Sequence, residues 1–317
     1  MKGTVYKSTG KLYEIKAQDG QFYSCRIRGK LRLEGSKSTN PIAVGDQVEF
    51  EPAKNTEIDD KGAITKIYPR TNYVVRKSVN LSKQSHVLAA NIDRVFFLFT
   101  LSAPETTTLF ADRFLASAEA FGLEVVLLFH KKDLYDAETA EQAAYIQQTY
   151  QEIGYKCRQT SVNNADDLEW LHQQIAEKTS VFFGHSGAGK STLINALSPG
   201  LSLKTKSISK SHGQGQHTTT HAQMYDLTDD ARLIDTPGVR GFGIVHIEPD
   251  ELRLYFKEIF KASADCKFHN CLHKNEPNCA VIAAVESGDI EVFRYENYLR
   301  IIEPDDEHYR KEYYSNS

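Results

Sequence analysis

The chain has 317 residues, enough for two or three domains, and its 40% hydrophobic content is ordinary for a globular protein. A formal net charge of -4 excludes a polycation, so any binding to nucleic acid would depend on a local patch. No apolar run approaches the roughly 20 residues that span a bilayer, and the N-terminus lacks the apolar core of a signal peptide. We therefore expect a cytoplasmic protein without a membrane segment, and we expect a monomer.

The first 70 residues are predicted to form a small β-barrel of the OB-fold type. Five short segments rich in Val, Ile, Tyr and Phe are separated by Gly, Asp, Asn and Pro: GTVYKS, KLYEIKA, QFYSCRIRG, DQVEFEP and GAITKIYP. Another small all-β domain is the alternative. Residues 1–70 hold 13 Lys and Arg against 9 Asp and Glu, a net charge of +4 that leaves -8 for the remainder. This asymmetry favours contact with a polyanion, and a solvated surface is the alternative.

Four basic residues alternate along one predicted strand of this barrel, in the segment CRIRGKLR. Alternate residues of a strand share a face, so one side would carry Arg26, Arg28, Lys30 and Arg32. A stripe of cations suits the phosphate backbone of RNA. We predict a weak rRNA contact here, with a solvated strand face as the alternative.

From about residue 90, strands and helices alternate. The apolar runs DRVFFLFTL and LEVVLLF are typical of strands buried on both faces, and TLFADRFLASAEAFG has helical spacing. A helix over roughly 137–152, the strand YKCRQTS, a helix near DDLEWLHQQIAEK and the strand SVFFG follow. The alternation predicts a parallel sheet covered by helices on both faces, in an α/β domain over residues 71–242.

A phosphate-binding loop is predicted where the strand SVFF meets the helical segment STLINAL. The motif GHSGAGKST comprises Gly184, His185, Ser186, Gly187, Ala188, Gly189, Lys190, Ser191 and Thr192. Its glycines let backbone N–H groups point at a phosphate, and the following helix adds its positive N-terminus. Lys190 would reach the β- and γ-phosphates and act in catalysis, and Ser191 would hold Mg²⁺.

Two further segments fit the switch regions of a nucleotide hydrolase. In RLIDTPGVRGFG, Asp235 ends an apolar strand and suits Mg²⁺, and the N–H of Gly238 can sense a γ-phosphate. The preceding loop GQGQHTTTH offers a threonine to Mg²⁺. We assign Thr219, although the sequence does not distinguish it from Thr218 and Thr220.

The base-recognition motif lies before the phosphate loop instead of after it. The segment LLFHKKDL supplies His130, Lys131, Lys132 and Asp133, and QTSV supplies a base-covering loop with Ser161 and Val162. The Asp133 carboxylate can accept hydrogen bonds from the guanine N1–H and 2-amino group, a pair of donors that adenine lacks. The motif order is therefore a circular permutation of the usual GTPase order, which a compact domain tolerates.

This motif order and these residues resemble one bacterial family, the circularly permuted ribosome small subunit-dependent GTPase A (RsgA/YjeQ) family. The resemblance covers nearly the whole chain and includes YSCRIRGKLR, PIAVGDQVEF, HKKD, GHSGAGKSTLIN, HTTT, DTPGVRGFG and CKFHNCLHKNEPNCAV. It implies a GTPase that binds the small ribosomal subunit and its 16S rRNA, acts late in subunit assembly, and hydrolyses GTP to GDP when the subunit activates it. One alternative is a GTP-gated rRNA-binding factor with little or no turnover. Another, a metabolic ATPase or kinase, conflicts with Asp133.

Two positions bear on the guanine affinity of such a site and on its ability to hydrolyse GTP. The family usually has Asn where this chain has His130, so we expect guanine preference to survive with affinity lower by about 1–2 kcal/mol, roughly tenfold in Kd. Val239 stands where many GTPases carry a catalytic Gln. The resemblance points instead to His217, whose neutral imidazole could position water. His212 and His221 are weaker candidates.

Three of the five cysteines crowd into residues 266–279, within a C-terminal region that we predict as a mostly helical domain over 243–317. The spacing C-x4-C-x-H-x5-C predicts a closed, structural zinc site with the ligands Cys266, Cys271, His273 and Cys279. His269 could compete with His273, and the resemblance favours His273. The expected cofactors are therefore one zinc ion, and Mg²⁺ with GTP.

Overall fold

The structure is a computed structural model, and it describes residues 1–28, 41–53, 61–77, 85–201, 222–228, 230–235 and 247–303. Several predicted site residues lie outside these ranges, namely Lys30, Arg32, His217, Thr218, Thr219, Thr220 and Gly238. Within the described ranges, no helix has both the length and the apolar character needed to cross a membrane.

The N-terminal region forms the predicted five-stranded barrel. Its strands are β1 (Lys2–Ser8), β2 (Tyr13–Ala17), β3 (Phe22–Ile27), β4 (Gln47–Glu51) and β5 (Gly62–Ile67). Antiparallel pairs join β1 to β2, β2 to β3 and β4 to β5, while β3 and β5 run parallel. The pairing of β1 with β4 closes the barrel. Alternate residues of each strand point inward, which gives a core that includes Val5, Ile15, Cys25, Phe50 and Ile64.

A hairpin of β6 (Tyr73–Lys77) and β7 (Ser85–Ala90) leads from the barrel to the predicted α/β domain. The central strands are β8 (Arg94–Phe99), β9 (Val125–His130), β10 (Lys156–Thr160), β11 (Thr179–Phe183), β12 (Gln223–Thr228) and β13 (Ala231–Asp235). They lie in the order β10-β9-β8-β11-β13-β12. All neighbours are parallel except β12 and β13, so the predicted parallel sheet carries one antiparallel strand.

Helices cover both faces of this sheet, as predicted. They are α1 (Thr108–Ala120), α2 (Ala137–Ile153), α3 (Ala165–Ile175) and α4 (Lys190–Leu197), with short 3₁₀ helices at Lys132–Leu134 and Pro199–Leu201. On one face Phe97 and Phe183 pack on Phe114 of α1, with ring centroids 4.9 and 4.3 Å away. On the other face Phe96 and Phe182 belong to a separate core with residues of α3 and α4.

The barrel is joined to the α/β sheet along β12. Strand β1 pairs antiparallel with β12 at Lys7 and Gln223. Beside this pair, Asp226 of β12 accepts a hydrogen bond from the Tyr6 hydroxyl at 2.7 Å and forms an ion pair with Lys16 at 2.6 Å. The barrel is therefore held against a strand of the α/β sheet by backbone and side-chain contacts.

The C-terminal region is helical, as predicted, and packs against the α/β domain. It contains a 3₁₀ helix (Leu252–Tyr255), α5 (Lys257–Ser263), α6 (Ala280–Ser287) and α7 (Val292–Ile302). Arg294 of α7 is 1% exposed and pairs with buried Asp112 of α1, and it also donates to Glu258 of α5 at 2.7 Å. Asn297 donates to Asp112 at 2.7 Å. A buried polar cluster therefore joins the C-terminal helices to α1, one of the helices that cover the sheet.

Candidate nucleotide and metal sites

The loop between β11 and α4 has the backbone conformation that its glycines predict. Gly184, Gly187 and Gly189 have φ values of 150°, 87° and 102°, a range that side-chain-bearing residues rarely adopt. A Cβ on Gly184 would lie 2.9 Å from the Leu98 carbonyl oxygen, so β8 leaves no room for one. His185 stacks on Phe110 with ring centroids 4.0 Å apart. The strand, glycine loop and helix therefore form the arrangement that phosphate-binding loops require.

The Lys190 ammonium is held above this loop. It donates to the carbonyl oxygens of Gly184 and His185, at 2.6 and 2.7 Å. Burial lowers its pKa to about 8, while the nearby Asp235 carboxylate acts in the opposite direction. Burial raises the pKa of Asp235, at the end of β13, and Lys190 counteracts that rise. The parallel pairing of β11 and β13 thus brings the loop lysine and the predicted Mg²⁺ acid to one edge of the sheet.

His130, in the base-recognition segment, contacts the phosphate loop. It ends β9, is 1% exposed, and its Nδ1 lies 3.0 Å from the Thr160 hydroxyl on the neighbouring strand β10. A Cβ on Gly189 would lie 3.1 Å from His130 Cδ2 and Nε2, so the ring packs directly against the loop backbone. Burial, reinforced by the Lys131 charge, lowers the pKa of His130 to about 4. The imidazole is therefore neutral at physiological pH.

Lys131 makes a second connection between the two motifs. Its backbone is left-handed, with a φ of 66°, and its ammonium donates to the Gly187 carbonyl oxygen at 2.7 Å. The same ammonium donates to the carbonyl oxygen of Ala103, in the loop after β8. The side chain therefore runs from the base-recognition segment to the phosphate loop.

Asp133 faces the predicted base-covering loop. Its carboxylate accepts hydrogen bonds from the Ser161 hydroxyl at 2.5 Å and from Asn163 Nδ2 at 3.1 Å. The Ser161 bond is the main cause that lowers the pKa of Asp133, so the carboxyl is ionised and suited to accept from a base. The sequence analysis did not include Asn163 in the site. Its position two residues after Ser161, in the same predicted base-covering loop, could have indicated that it lies near Asp133. Val162, between them, is half-buried.

Lys132 points away from this carboxylate. Its ammonium forms an ion pair with buried Asp167 at 2.6 Å, and Arg158 pairs with the same carboxylate at 3.1 Å. Asp167 also accepts from the Ser161 backbone N–H at 3.0 Å. Lys132 therefore supports the base-covering loop through Asp167, a contact that the motif alone did not reveal.

Some of the other predicted residues of this site lie within the described ranges, and the rest lie outside them. Ser186, Ala188, Ser191 and Thr192 lie in the loop and the first turn of α4, with Ala188 buried and Thr192 exposed. The switch residues His217, Thr219 and Gly238 fall outside the described residues. The phosphate and base parts of the site are thus brought together, and the roles of the switch residues stay predictions.

The four predicted metal ligands converge near the C-terminal helices. One ligand atom each from Cys266, Cys271, His273 and Cys279 lies within 4.8 Å of the others. Sulfur separations of 3.7 and 3.9 Å match the roughly 3.8 Å that follows from tetrahedral Zn–S bonds of about 2.3 Å. His273 Nδ1 lies 3.4 Å from the Cys279 sulfur. His269 is exposed and is not part of the cluster.

The loop that carries these ligands is fixed by hydrogen bonds. The Glu276 carboxylate accepts from the backbone N–H groups of Leu272 and Lys274, each at 2.7 Å. The Tyr295 hydroxyl of α7 donates to the His273 carbonyl oxygen at 2.6 Å. Burial raises the pKa of Cys271 to about 12, so a thiolate there needs a cation beside it. The donor set and its geometry therefore fit a closed tetrahedral metal site.

The predicted basic stripe on the barrel is partly described. Arg26, in β3, and Arg28, directly after this strand, are exposed, whereas Cys25 is buried and Ile27 is partly buried. Arg28 forms an ion pair with Glu51 at 2.9 Å, and both side chains are mostly exposed. Lys30 and Arg32 are outside the described residues. The two described cations share one surface, and one of them has an acidic neighbour.

Comparison with known proteins gives one consistent family. Residues 67–245 match the family described as RsgA GTPase, and residues 2–59 match the RsgA N-terminal domain. The chain is 54% identical over 314 residues to the small ribosomal subunit biogenesis GTPase RsgA of Flavobacterium johnsoniae, covering 99% of this chain and 96% of that protein. The protein of the same name from Bacteroides fragilis is 46% identical, with 97% and 98% covered.

Solved structures agree with these sequence matches. The crystal structure of YjeQ from Thermotoga maritima superposes with a TM-score of 0.74 at 33% identity, covering 95% of this chain and 96% of that chain. The structure of YloQ, described as a circularly permuted GTPase, gives a TM-score of 0.70 at 29% identity, with 97% and 95% covered. The similarity therefore extends over the barrel, the α/β sheet and the helical region together.

Proposed function

Because this chain belongs to the RsgA GTPase family, we propose that its GTP hydrolysis serves late assembly of the small ribosomal subunit. The subunit is expected to activate hydrolysis, and the protein is expected to contact 16S rRNA. The relatives that are named as small ribosomal subunit biogenesis GTPases support this assignment. We place the protein in the cytoplasm, as a monomer.

One observation carries the proposal: the base-recognition segment and the phosphate loop meet although the chain presents them in permuted order. His130 packs on Gly189, and Lys131 donates to the Gly187 carbonyl oxygen. The ionised Asp133 carboxylate faces the Ser161 loop at the same edge of the sheet. These contacts support one guanine nucleotide site built from both motifs, which a phosphate loop alone would not indicate.

Each part of this site has a proposed task. Asp133 accepts from the guanine N1–H and 2-amino group, with Lys131 along the base face and Ser161 and Val162 covering it. The loop amides from Gly184 to Gly189 and the Lys190 ammonium bind the phosphates. Ser191 and Thr219 hold Mg²⁺, aided by Asp235, and Gly238 senses the γ-phosphate. His217 positions the attacking water.

We propose that the cysteine and histidine cluster holds one structural Zn²⁺. Three thiolates and one imidazole close a tetrahedral shell, so no position is left for a reacting water. The metal would cross-link a small helical domain whose own hydrophobic core is small and contributes limited stability. We take residues 1–70 as the barrel domain, 71–242 as the GTPase domain and 243–317 as the zinc domain.

The proposal predicts that nucleotide state controls subunit binding. Wild-type protein should co-sediment with purified small subunits when it carries a non-hydrolysable GTP analogue, and should bind at least tenfold more weakly with GDP. Large subunits serve as the control and should not retain the protein in either state. Equal binding to small subunits with both nucleotides, or equal binding to large subunits, would contradict the proposed role.

A further inference from the structure

A cavity of about 290 Å³ lies where the barrel meets the α/β sheet. Most of its wall comes from β1, β2 and the start of β4, and Arg232 of β13 completes it. The volume is close to the lower end of small-ligand pockets, about 300–1,000 Å³. Arg232 precedes Asp235 by three strand residues, or about 10 Å. The cavity is therefore separate from the nucleotide site at the other end of β13.

Three cationic side chains contribute to the wall of this cavity. Lys2, Lys16 and Arg232 line it, and no carboxylate does. Asp226, which pairs with Lys16 and also interacts electrostatically with Arg232, lines the neighbouring cavity instead, and Glu49 interacts electrostatically with Lys2 from outside the wall. Among the described residues, Lys2 has no carboxylate within ion-pair distance. An anion is therefore the complementary ligand, with Lys2 as the cation least engaged by the protein itself.

Two tyrosine rings share the wall with these cations. The Lys2 ammonium lies 5.4 Å from the Tyr68 ring centroid, and the Lys16 ammonium lies 5.5 Å from that of Tyr6. Hydrogen bonds to Glu49 and Asp226 fix the hydroxyls of Tyr68 and Tyr6, and thereby the ring planes. Cations beside oriented aromatic rings match the pairing of phosphate and base in single-stranded nucleic acid.

We propose that this cavity binds one nucleotide of a single-stranded RNA segment, with its phosphate at Lys2 and Arg232 and its base against Tyr68. The inference rests on the proposed function, because it names the RNA contact through which the protein would engage its partner. An RNA at this place would touch both the barrel and β13. Its binding would therefore strengthen the junction that Tyr6, Lys16 and Asp226 already form.

The test compares two charge reversals at opposite ends of the β1–β2 hairpin. Lys2→Glu changes the cavity, and Lys11→Glu makes the same charge change in the exposed turn beyond Ser8, a residue that is itself about 20 Å from Lys2 along β1. The probe is fluorescein-labelled dodecauridylate, followed by anisotropy over a range of salt concentrations. We expect Lys2→Glu to raise Kd five- to tenfold and to lower the salt slope by about one, and Lys11→Glu to raise Kd at most twofold.

A second pair of variants tests the aromatic part. Tyr68→Leu should weaken dodecauridylate binding severalfold, and Tyr68→Phe, which keeps the ring, should retain it. Equal weakening by Lys2→Glu and Lys11→Glu would overturn the site, because it would indicate a diffuse electrostatic contact. Competition by free UMP or inorganic phosphate as effective as that by the oligonucleotide would overturn the RNA assignment in favour of a small anion.

The failure of this inference can be told apart from failure of the proposed function. Wild-type co-sedimentation with small subunits tests the function and does not involve the variants. If the wild type binds subunits and Lys2→Glu binds dodecauridylate normally, only the cavity assignment fails. If the wild type ignores subunits while Lys2→Glu still loses dodecauridylate, the cavity binds RNA and the ribosomal role fails. A fluorescent GTP analogue should bind all variants equally, because none changes the nucleotide site.

Discussion

His130 shows both the reach and the limit of sequence reasoning at the scale of single residues. The resemblance implies asparagine at this position, where the chain has histidine, and the effect of the histidine on guanine affinity stays a prediction. The sequence could not indicate that the ring would be buried against Gly189 and would contact Thr160. Those neighbours come from other strands and loops, so local spacing carries no information about them.

The buried imidazole predicts a specific pH dependence. An unfolded chain binds a proton at His130 below about pH 6.5, whereas the folded protein does so only near its lowered pKa of about 4. Stability is therefore lost as the pH falls from 6.5 towards 4. Between pH 7.5 and 5.0, the wild type should lose about 1–2 kcal/mol more than His130→Asn, measured by urea unfolding of the α/β domain. Equal losses would contradict a neutral, buried His130.

At the scale of elements, the sequence predicted the strands and helices whose patterns are strong. The apolar runs of β8, β9 and β11 and the helical spacing of α1 correspond to the structure. The hairpin β6–β7 was missed because the two strands are not joined by a recognisable two-residue turn. Strand β12 was missed because QMYDLT is short and mixes polar with apolar residues, although it joins barrel and sheet.

Gly189 of the phosphate loop and Gly154 at the end of α2 form a matched pair of glycines for a test. Gly189 and Gly154 both have a φ of 102°, so alanine at either position should cost about 1 kcal/mol of stability. At Gly154, which ends α2, nothing lies within 4 Å of a Cβ, whereas at Gly189 the His130 ring lies 3.1 Å away. Gly189→Ala should therefore also weaken binding of a fluorescent GTP analogue at least tenfold. Normal binding by Gly189→Ala would contradict the packing of His130 on the loop.

The metal-binding loop leads to a prediction about the zinc content of the protein and about its thermal stability. Elemental analysis should find about one zinc per wild-type chain and per Cys157→Ala chain, and far less in Cys271→Ser. Chelation should lower the melting temperature of the wild type but leave Cys271→Ser almost unchanged, since that variant has no metal to lose. Equal zinc in Cys271→Ser and Cys157→Ala would contradict the four-ligand site.

At the scale of the whole molecule, the contacts between regions could not be predicted. Arg294 and Asp112 are separated by 182 residues, and nothing in their local sequences pairs them. Tyr150 also donates to Asp112, at 2.6 Å, which completes a polar cluster between α1, α2 and α7. The C-terminal helices are therefore attached to the GTPase core by side chains as well as by the chain that follows β13. If the metal-binding region moved relative to α1, the hydrogen bonds and the ion pair of this cluster would have to break. Otherwise α1 and α2 would have to move with it.

Breaking that cluster should be costly. Arg294→Met would leave the buried Asp112 carboxylate without its cation, and we expect a loss of about 3–5 kcal/mol. Arg300→Met on the same helix removes an exposed ion pair with Glu296 and should cost less than about 0.5 kcal/mol. Unfolding by urea checks both values. Similar small losses in the two variants would show that the cluster does not hold the C-terminal helices in place.

We propose that the protein is a guanine-specific hydrolase that the small ribosomal subunit activates. The most direct test measures phosphate release from GTP and from ATP, each with and without purified small subunits, using Lys190→Ala as the inactive control. Such a hydrolase should turn over GTP slowly as the free protein and at least tenfold faster with small subunits, and it should make no significant use of ATP. Turnover that does not respond to the subunit, or that proceeds equally with ATP, would contradict it.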